Sequence, residues 1–291
     1  MMSKSSLRTA SLLVYAMLGL SLLVSACGGS GGEGLLKREL PENATPEKIL
    51  LDGLNATDEA RTLNYLFDYA LVIPPSAEQA YTSEFRFEGE GDYSAETGNA
   101  QAHMVWPAFE QEFDYKLYDG KQYYRMEEGG VWYELPEGSS FNVPSVSDIT
   151  RNTSEYMDNF QKITRLEDES VNDKDCYHIA MVPNFDAIME NEQFLDMFEG
   201  EEGEMEEGRL QEIEDLKTKL KDANVNYEYW LDKEYLVLRR TLYNFEYVDP
   251  GDDETSPHTV KLIMEIDFPA YNQDVKVDPP ESTMLHKETS S

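Results

Sequence analysis

The chain has 291 residues, 40% of them hydrophobic and 11% aromatic, which is the composition of a folded protein with room for one large domain or two small ones. Asp and Glu outnumber Lys and Arg by 58 to 24, giving a formal charge of −34; such a field excludes nucleic acid as a partner, because phosphate binding needs a basic surface. Two cysteines, Cys27 and Cys176, exclude a fold held by a disulfide network.

At the N-terminus Lys4 and Arg8 form a short basic leader, followed at 12–24 by an apolar run too short for a comfortable transmembrane helix and right for the core of a signal peptide. The run ends Leu23-Val24-Ser25-Ala26-Cys27, which resembles the lipobox of bacterial lipoproteins. That resemblance implies cleavage after Ala26 and a diacylglyceryl group on Cys27. The competing readings are an ordinary signal peptide with a chance cysteine after its cleavage site, or an uncleaved anchor helix. Residues 1–26 are therefore expected to be a lipoprotein signal peptide, and loss of Lys4 and Arg8 takes the formal charge to −36. Two or three acyl chains, at about 0.8 kcal/mol per buried CH2, hold a protein on a membrane without spanning it. The expected location is extracytoplasmic, lipid-anchored to a bacterial cell membrane. With Cys27 acylated, Cys176 has no disulfide partner, and stability must come from the core.

Gly28-Gly29-Ser30-Gly31-Gly32-Glu33-Gly34 opens a Gly/Ser-rich tether over 27–44. Thr45 then offers an N-cap, with Pro46 at the first helical position and Glu47 in the first turn, and Leu50, Leu51 and Leu54 make one stripe. Gly53 or Asn55 is expected to end this helix. From Thr62 the period changes to two: Leu63, Tyr65, Phe67, Tyr69, Leu71 and Ile73 alternate with a mixed set up to Pro74-Pro75. Phe85 and Phe87 continue such a face, with Gly89, Gly91 and Tyr93 on the same side. A meander fills 109–135, turning at Asp119-Gly120 and at Glu128-Gly129-Gly130; Asp-Gly between alternating runs is a strong hairpin signal. The sheet is therefore expected to be antiparallel.

Tyr156, Phe160 and Ile163 predict a second helix over 153–162, followed by strands at 163–171 and 176–182 joined by Asn172-Asp173-Lys174-Asp175. Residues 184–223 read as an acidic helical insertion or lid, its glycine-broken acidic run at 199–207 a solvated loop and 209–222 a short helix striped by Leu210, Ile213, Leu216 and Leu220. Strands return at 226–232, 235–248 and 259–268, and 281–291 is expected to be a disordered tail. About eleven strands with helices in two places make an α+β fold, a curved antiparallel sheet with helices on one face.

In this order, the lipobox, the tether, Tyr118-Asp119-Gly120-Lys121-Gln122-Tyr123-Tyr124 with Trp132, Cys176-Tyr177-His178-Ile179, Trp230-Leu231-Asp232-Lys233-Glu234, Leu238-Arg239-Arg240 and Ala270-Tyr271-Asn272-Gln273-Asp274-Val275 before Pro279-Pro280 make the chain similar to the LolA-like and LppX/LprG-type lipoproteins. The resemblance implies one half-barrel domain over 45–280, with helices covering the concave face and a hydrophobic cavity for acyl chains. It also implies a carrier or holder of lipids or lipidated molecules. The acidic segment departs from that pattern.

An apolar inner face has two uses, to be filled by the protein's own side chains or to leave space for a ligand. Leu63, Tyr65, Phe67, Tyr69, Phe85, Phe87, Met104, Trp106, Leu262, Met264 and Ile266 are the candidate cavity residues, and plain core packing is the alternative for each. Met157, Met189, Phe194, Leu195, Met197 and Phe198 are either the apolar side of a lid or a buried helix stripe. His103, His178, His258 and His286 lie at no zinc spacing, Cys176 alternates on a strand like a small buried hydrophobe, and no nucleophile elbow, zincin or phosphate-loop motif is present. Neither an enzyme nor a cofactor is expected. The partners expected are the membrane through Cys27, a lipid ligand and an envelope protein; the alternative function is a ligand-free interaction or sensory module presenting its sheet edge or acidic cover to such a protein.

Overall fold

The computed structural model describes residues 35–73, 83–126, 129–135, 157, 160–184, 223–249, 258–281 and 283–285. The expected signal peptide with Ala26 and Cys27, the glycine-rich start of the tether, the acidic insertion between 184 and 223 with its lid residues Met189, Phe194, Leu195, Met197 and Phe198, and His286 lie outside them.

Among the described residues one α-helix, α1 (Pro46–Asp58), precedes thirteen strands. These are β1 (Thr62–Ile73), β2 (Ser83–Ser94), β3 (Asn99–Trp106), β4 (Gln111–Tyr118), β5 (Lys121–Arg125), β6 (Trp132–Glu134), β7 (Phe160–Arg165), β8 (Glu169–Val171), β9 (Lys174–Pro183), β10 (Asn224–Asp232), β11 (Leu238–Asp249), β12 (His258–Tyr271) and β13 (Thr283–Leu285). All join one open, curled sheet in the order β13-β6-β5-β4-β3-β2-β1-β12-β11-β10-β9-β7, with β8 also on β9. The chain therefore lays down two antiparallel meanders, β1 to β6 and β7 to β12, and stitches them along β1 and β12, where Leu63 faces Tyr271 and Val72 faces Lys261. The sheet thus has more strands than the sequence suggests, because β3 and β8 were not separately visible and β13 falls in the expected tail.

Alternation builds this sheet where turn chemistry permits. Asp119 and Gly120 both take positive φ, 50° and 73°, the turn whose twist matches a two-residue hairpin, and β4 and β5 pair on either side of it. Asn172 and Asp173 do the same between β8 and β9, at 51° and 60°. The expected single strand over 163–171 is two, because β7 pairs with Ile179 to Pro183 while β8 pairs with Lys174 to Cys176; between them Arg165 hydrogen-bonds Asp168. Phe160 belongs to β7 and not to a helix, since its partner across the ladder is Pro183.

Helix α1 begins as expected, Thr45 Oγ1 accepting from the Lys48 amide at 3.3 Å, but it runs through Gly53 and Asn55 to Asp58. Gly53 does not break it because that position is a contact. A Cβ there would press on the Leu231 side chain and lie 3.0 Å from the Leu236 carbonyl, so only glycine lets the helix sit this close to β10. Ile49, Leu50 and Leu54 are buried against the core, each burial stabilising by about 1.5–3 kcal/mol. Thr57 then clamps helix to sheet, donating to the Gly53 carbonyl and accepting from the Leu238 amide. Leu35, Leu40 and Ala44 also pack on the core, so the second half of the expected tether is docked, with the Arg38 amide bonded to the Glu234 carbonyl. Among the described residues α1 is the one α-helix, and it covers the β7–β9–β10–β11 end; helices over the rest of the inner face are not observed there.

Beyond β12, the Lys116 ammonium holds the Asp278 carbonyl at 3.0 Å, and β13 adds parallel to β6, Thr283 facing Trp132 and Leu285 facing Glu134. Residues 283–285 are thus a strand within the expected disordered tail.

Candidate functional site

The register places one parity of every strand on the inner face, and most of the residues there are apolar or aromatic. A single row crosses it. Ile163 faces Met181, Met181 faces Tyr227, Tyr227 faces Tyr243, Tyr243 faces Met264, Met264 faces Tyr69 and Tyr69 faces Phe87. Phe87 then meets Trp106 with ring centroids 4.7 Å apart. A parallel row runs Val225, Phe245, Leu262, Leu71 and Phe85. Burial is graded along the first row: Met181 is fully buried and Tyr227 6% exposed, whereas Tyr243, Met264, Tyr69, Phe87 and Trp106 are partly exposed.

The expected candidates therefore share one face, but they are not equivalent. Leu63, Tyr65, Met104, Leu262 and Ile266 are core, each below a tenth exposed. Phe67, Tyr69, Phe87 and Met264 are partly buried and pack against that core, and Phe85 and Trp106 are partly buried outside it. Tyr65 and Phe67 lie flat because their cross-strand partners are Gly91 and Gly89; a Cβ on Gly91 would stand 2.5 Å from the Tyr65 ring, and one on Gly89 2.7 Å from the Phe67 ring.

Sequence reasoning missed the other half of this face: Phe113 and Tyr115 on β4, Ile179 and Met181 on β9, Tyr227 and Tyr229 on β10, and Tyr243, Phe245 and Tyr247 on β11. The signal was present in the alternation Val225, Tyr227, Tyr229, Leu231, whose shared face becomes visible only with the β10–β11 register. The hydroxyls of Tyr229 and Tyr243 are 3.2 Å apart, and Tyr227 meets Tyr243 edge to face at 5.1 Å. Burial holds the phenols of Tyr65, Tyr69, Tyr227 and Tyr243 well above their ordinary range, so these four rings stay neutral at physiological pH.

The outer face is the reverse. Arg240 forks onto Asp267 and Arg86 onto Asp68, while Arg125 donates from Nε to Asp114, which also meets His103 Nδ1 at 2.9 Å. His178 lies stacked on Trp230 at 4.2 Å, its Nε2 2.7 Å from Glu228. Two shallow cavities among the described residues are on this outer side. One, of about 350 Å³, has Leu66 and Val105 as its apolar part and Asp68, Glu88, Glu90, Glu265 and Asp267 around it; the other, of about 500 Å³, lies by Asp92, Gln101, Lys116, Arg125 and Trp132.

Cys176 is fully buried, and burial pushes its thiol up to about 11, so it is an inert small hydrophobe and not a nucleophile. Asp232, Arg239 and Leu238, part of the motifs that carry the family resemblance, are structural. Asp232 accepts from the Glu234 and Tyr235 amides and from Arg239, and the Tyr271 hydroxyl donates to the Leu238 carbonyl. Among the described residues no group of three potential ligands could hold a metal ion, and no helix is long and apolar enough to cross a membrane.

These features define an open antiparallel half-barrel whose inner face is crossed by an uncharged, aromatic-rich row. Solved structures similar to this chain include LprF from Mycobacterium bovis (11% identity, TM-score 0.46, covering 81% of this chain and 96% of that one) and the Mycobacterium tuberculosis lipoprotein LppX (12%, 0.41, 79% and 98%). A LolA superfamily protein from Nitrosomonas europaea aligns at 11% identity and a TM-score of 0.26, covering 80% of this chain and 96% of that one. No protein-family model and no curated protein sequence matches the chain.

Proposed function

We propose that this protein is an extracytoplasmic lipoprotein, anchored through a diacylglyceryl group on Cys27 after cleavage at Ala26, that holds an acyl chain or a lipidated molecule against its inner face. The observation that carries the reading is the row from Met181 to Trp106. It is uncharged throughout, continuous across the stitched meanders, and open to solvent in its β11–β3 part, where Tyr243, Met264, Tyr69, Phe87 and Trp106 remain partly exposed. Flexible acyl chains suit such a surface because Met adapts to irregular apolar shapes and aromatic rings offer broad apolar faces. The test is native mass spectrometry of the full chain purified without detergent. The expected result is a lipid adduct released by organic extraction; repeated preparations free of lipid, together with no uptake of a fluorescent fatty acid, overturn the reading.

The outer recess by Leu66 favours a second reading, a module that presents this face to an envelope protein. Leu66 is 43% exposed and ringed by carboxylates, a shape that takes a cationic apolar side chain. Under that reading Leu66→Glu abolishes binding to the partner, whereas lipid content stays unchanged.

A further inference from the structure

The graded row has an end, and that end protrudes. Beyond Phe87 and Trp106 the chain makes the β3–β4 hairpin through a 3-10 turn, Pro107–Phe109, closed by Glu110 in the left-handed region at φ 50°. Phe109 stands at the tip, 53% exposed, its ring edge-on to Trp106 at 4.3 Å. Trp106 Nε1 is buried and has no hydrogen-bond partner. From Tyr69 the rings thus touch in file, Tyr69 to Phe87 at 6.1 Å, Phe87 to Trp106 at 4.7 Å and Trp106 to Phe109 at 4.3 Å, running from the inner face out into solvent.

A core residue would be covered and a solvated turn would be polar; this tip is neither. Large apolar groups left exposed cost solubility and mark a contact surface. A partly exposed indole beside an exposed phenyl ring is the pair that settles at the boundary between hydrocarbon and headgroups, where the rings lose water.

We infer that the Trp106–Phe109 hairpin is the surface by which this protein meets a lipid bilayer, and that the β3 end of the inner face is the mouth through which an acyl chain passes. This rests on the carrier reading above. The flanking Glu110 and Glu112 are exposed and the whole chain is strongly acidic, so the bilayer it meets is uncharged at the point of contact. Phosphatidylcholine is therefore the probe, and phosphatidylglycerol weakens the contact.

The chain has three tryptophans, and Trp132 and Trp230 are 3% and 6% exposed, so lipid-borne quenchers report on Trp106. The full chain is mixed with vesicles of dibrominated phosphatidylcholine and its emission recorded for the parent, Trp106→Phe and Phe109→Asp. The expected result is loss of most of the Trp106 emission in the parent, none of that loss in Trp106→Phe, and recovery of the emission in Phe109→Asp, whose exposed position spares the fold. Quenching equal in the parent and Phe109→Asp, or no quenching in the parent, overturns the inference. Quenching that survives removal of the vesicles to the same extent in both forms reports lipid loaded elsewhere along the face and also overturns it. Lipid adducts without Phe109-dependent quenching leave the carrier reading standing and remove the mouth. Phe109-dependent quenching without adducts leaves the bilayer contact standing and removes the carrier reading, and the mouth with it.

Discussion

Arg239 donates from Nε and Nη2 to the same oxygen of Asp232, Oδ2, at 3.0 and 2.8 Å, and the two side chains are 7% and 2% exposed. The other Asp232 oxygen closes the β10–β11 turn through the Glu234 and Tyr235 amides, so one carboxylate fixes both the turn and the strand that leaves it. Removing one member of a buried pair leaves the other charged and unsolvated. Arg239→Met is therefore expected to cost about 3–5 kcal/mol, read as a lowered urea midpoint with unchanged slope.

Thr57 is the second clamp. Its hydroxyl accepts from the Leu238 amide at 2.9 Å in a fully buried position, so Thr57→Val leaves that amide without a partner and is expected to cost about 1–3 kcal/mol. Thr57→Ser keeps the oxygen and recovers most of the loss. Chemical denaturation of the pair separates the hydrogen bond from the methyl group.

Gly91 lies under the Tyr65 ring, with the Gln101 carbonyl 2.5 Å from where a Cβ would stand. The carbonyl belongs to the β2–β3 ladder and cannot retreat freely. Gly91→Val is expected to destabilise by about 1–3 kcal/mol through overpacking and to lift Tyr65 from the sheet. A lower melting temperature and a perturbed near-ultraviolet tyrosine signal check this.

Acid unfolding has a specific contributor. Burial alone would raise the Asp114 carboxyl, but hydrogen bonds from His103 and Arg125 outweigh it and hold the group below its ordinary value. A carboxylate depressed in the folded state stabilises at pH above its unfolded value, about 3.9, and that contribution is lost as pH falls through the lower folded value. Asp114→Asn is thus expected to be less stable than the parent at neutral pH, with the gap closing in acid; stability curves across pH 2–7 measure it.

Cys176 offers a probe of integrity. With its thiol at about 11 and no exposed surface, it is expected to resist iodoacetamide at pH 8 and to react fully in denaturant, as followed by peptide mapping of that residue.

The local signals in the sequence were sound where chemistry is local. The Thr45 cap, the Asp119-Gly120 turn and the alternation of β1 and β12 are each written within a few residues, and each forms as read. What failed was decided at a distance. Gly53 reads as a stop until Leu231 is known to lie against it, and the run from Ile163 to Val171 reads as one strand until β9 proves long enough to pair with two. The candidate site divides the same way. Alternation alone assigned Leu63 through Ile266 to one face, but only the register shows that Leu63, Tyr65 and Ile266 are packed shut while Tyr69, Phe87 and Trp106 stay partly open.

The seam between β1 and β12 has a consequence for biogenesis. A chain delivered from its N-terminus completes β1 early, and β2 to β6 can zip onto it at once, yet the other edge of β1 waits for residues 258–271. Until residues 258–271 arrive, the middle of the finished sheet is an unpaired border, and closing it is a late, non-local step. Truncations that remove residues 258–271 are therefore expected to harm the first-made strand as much as the last, and such fragments to aggregate through their exposed strand edges.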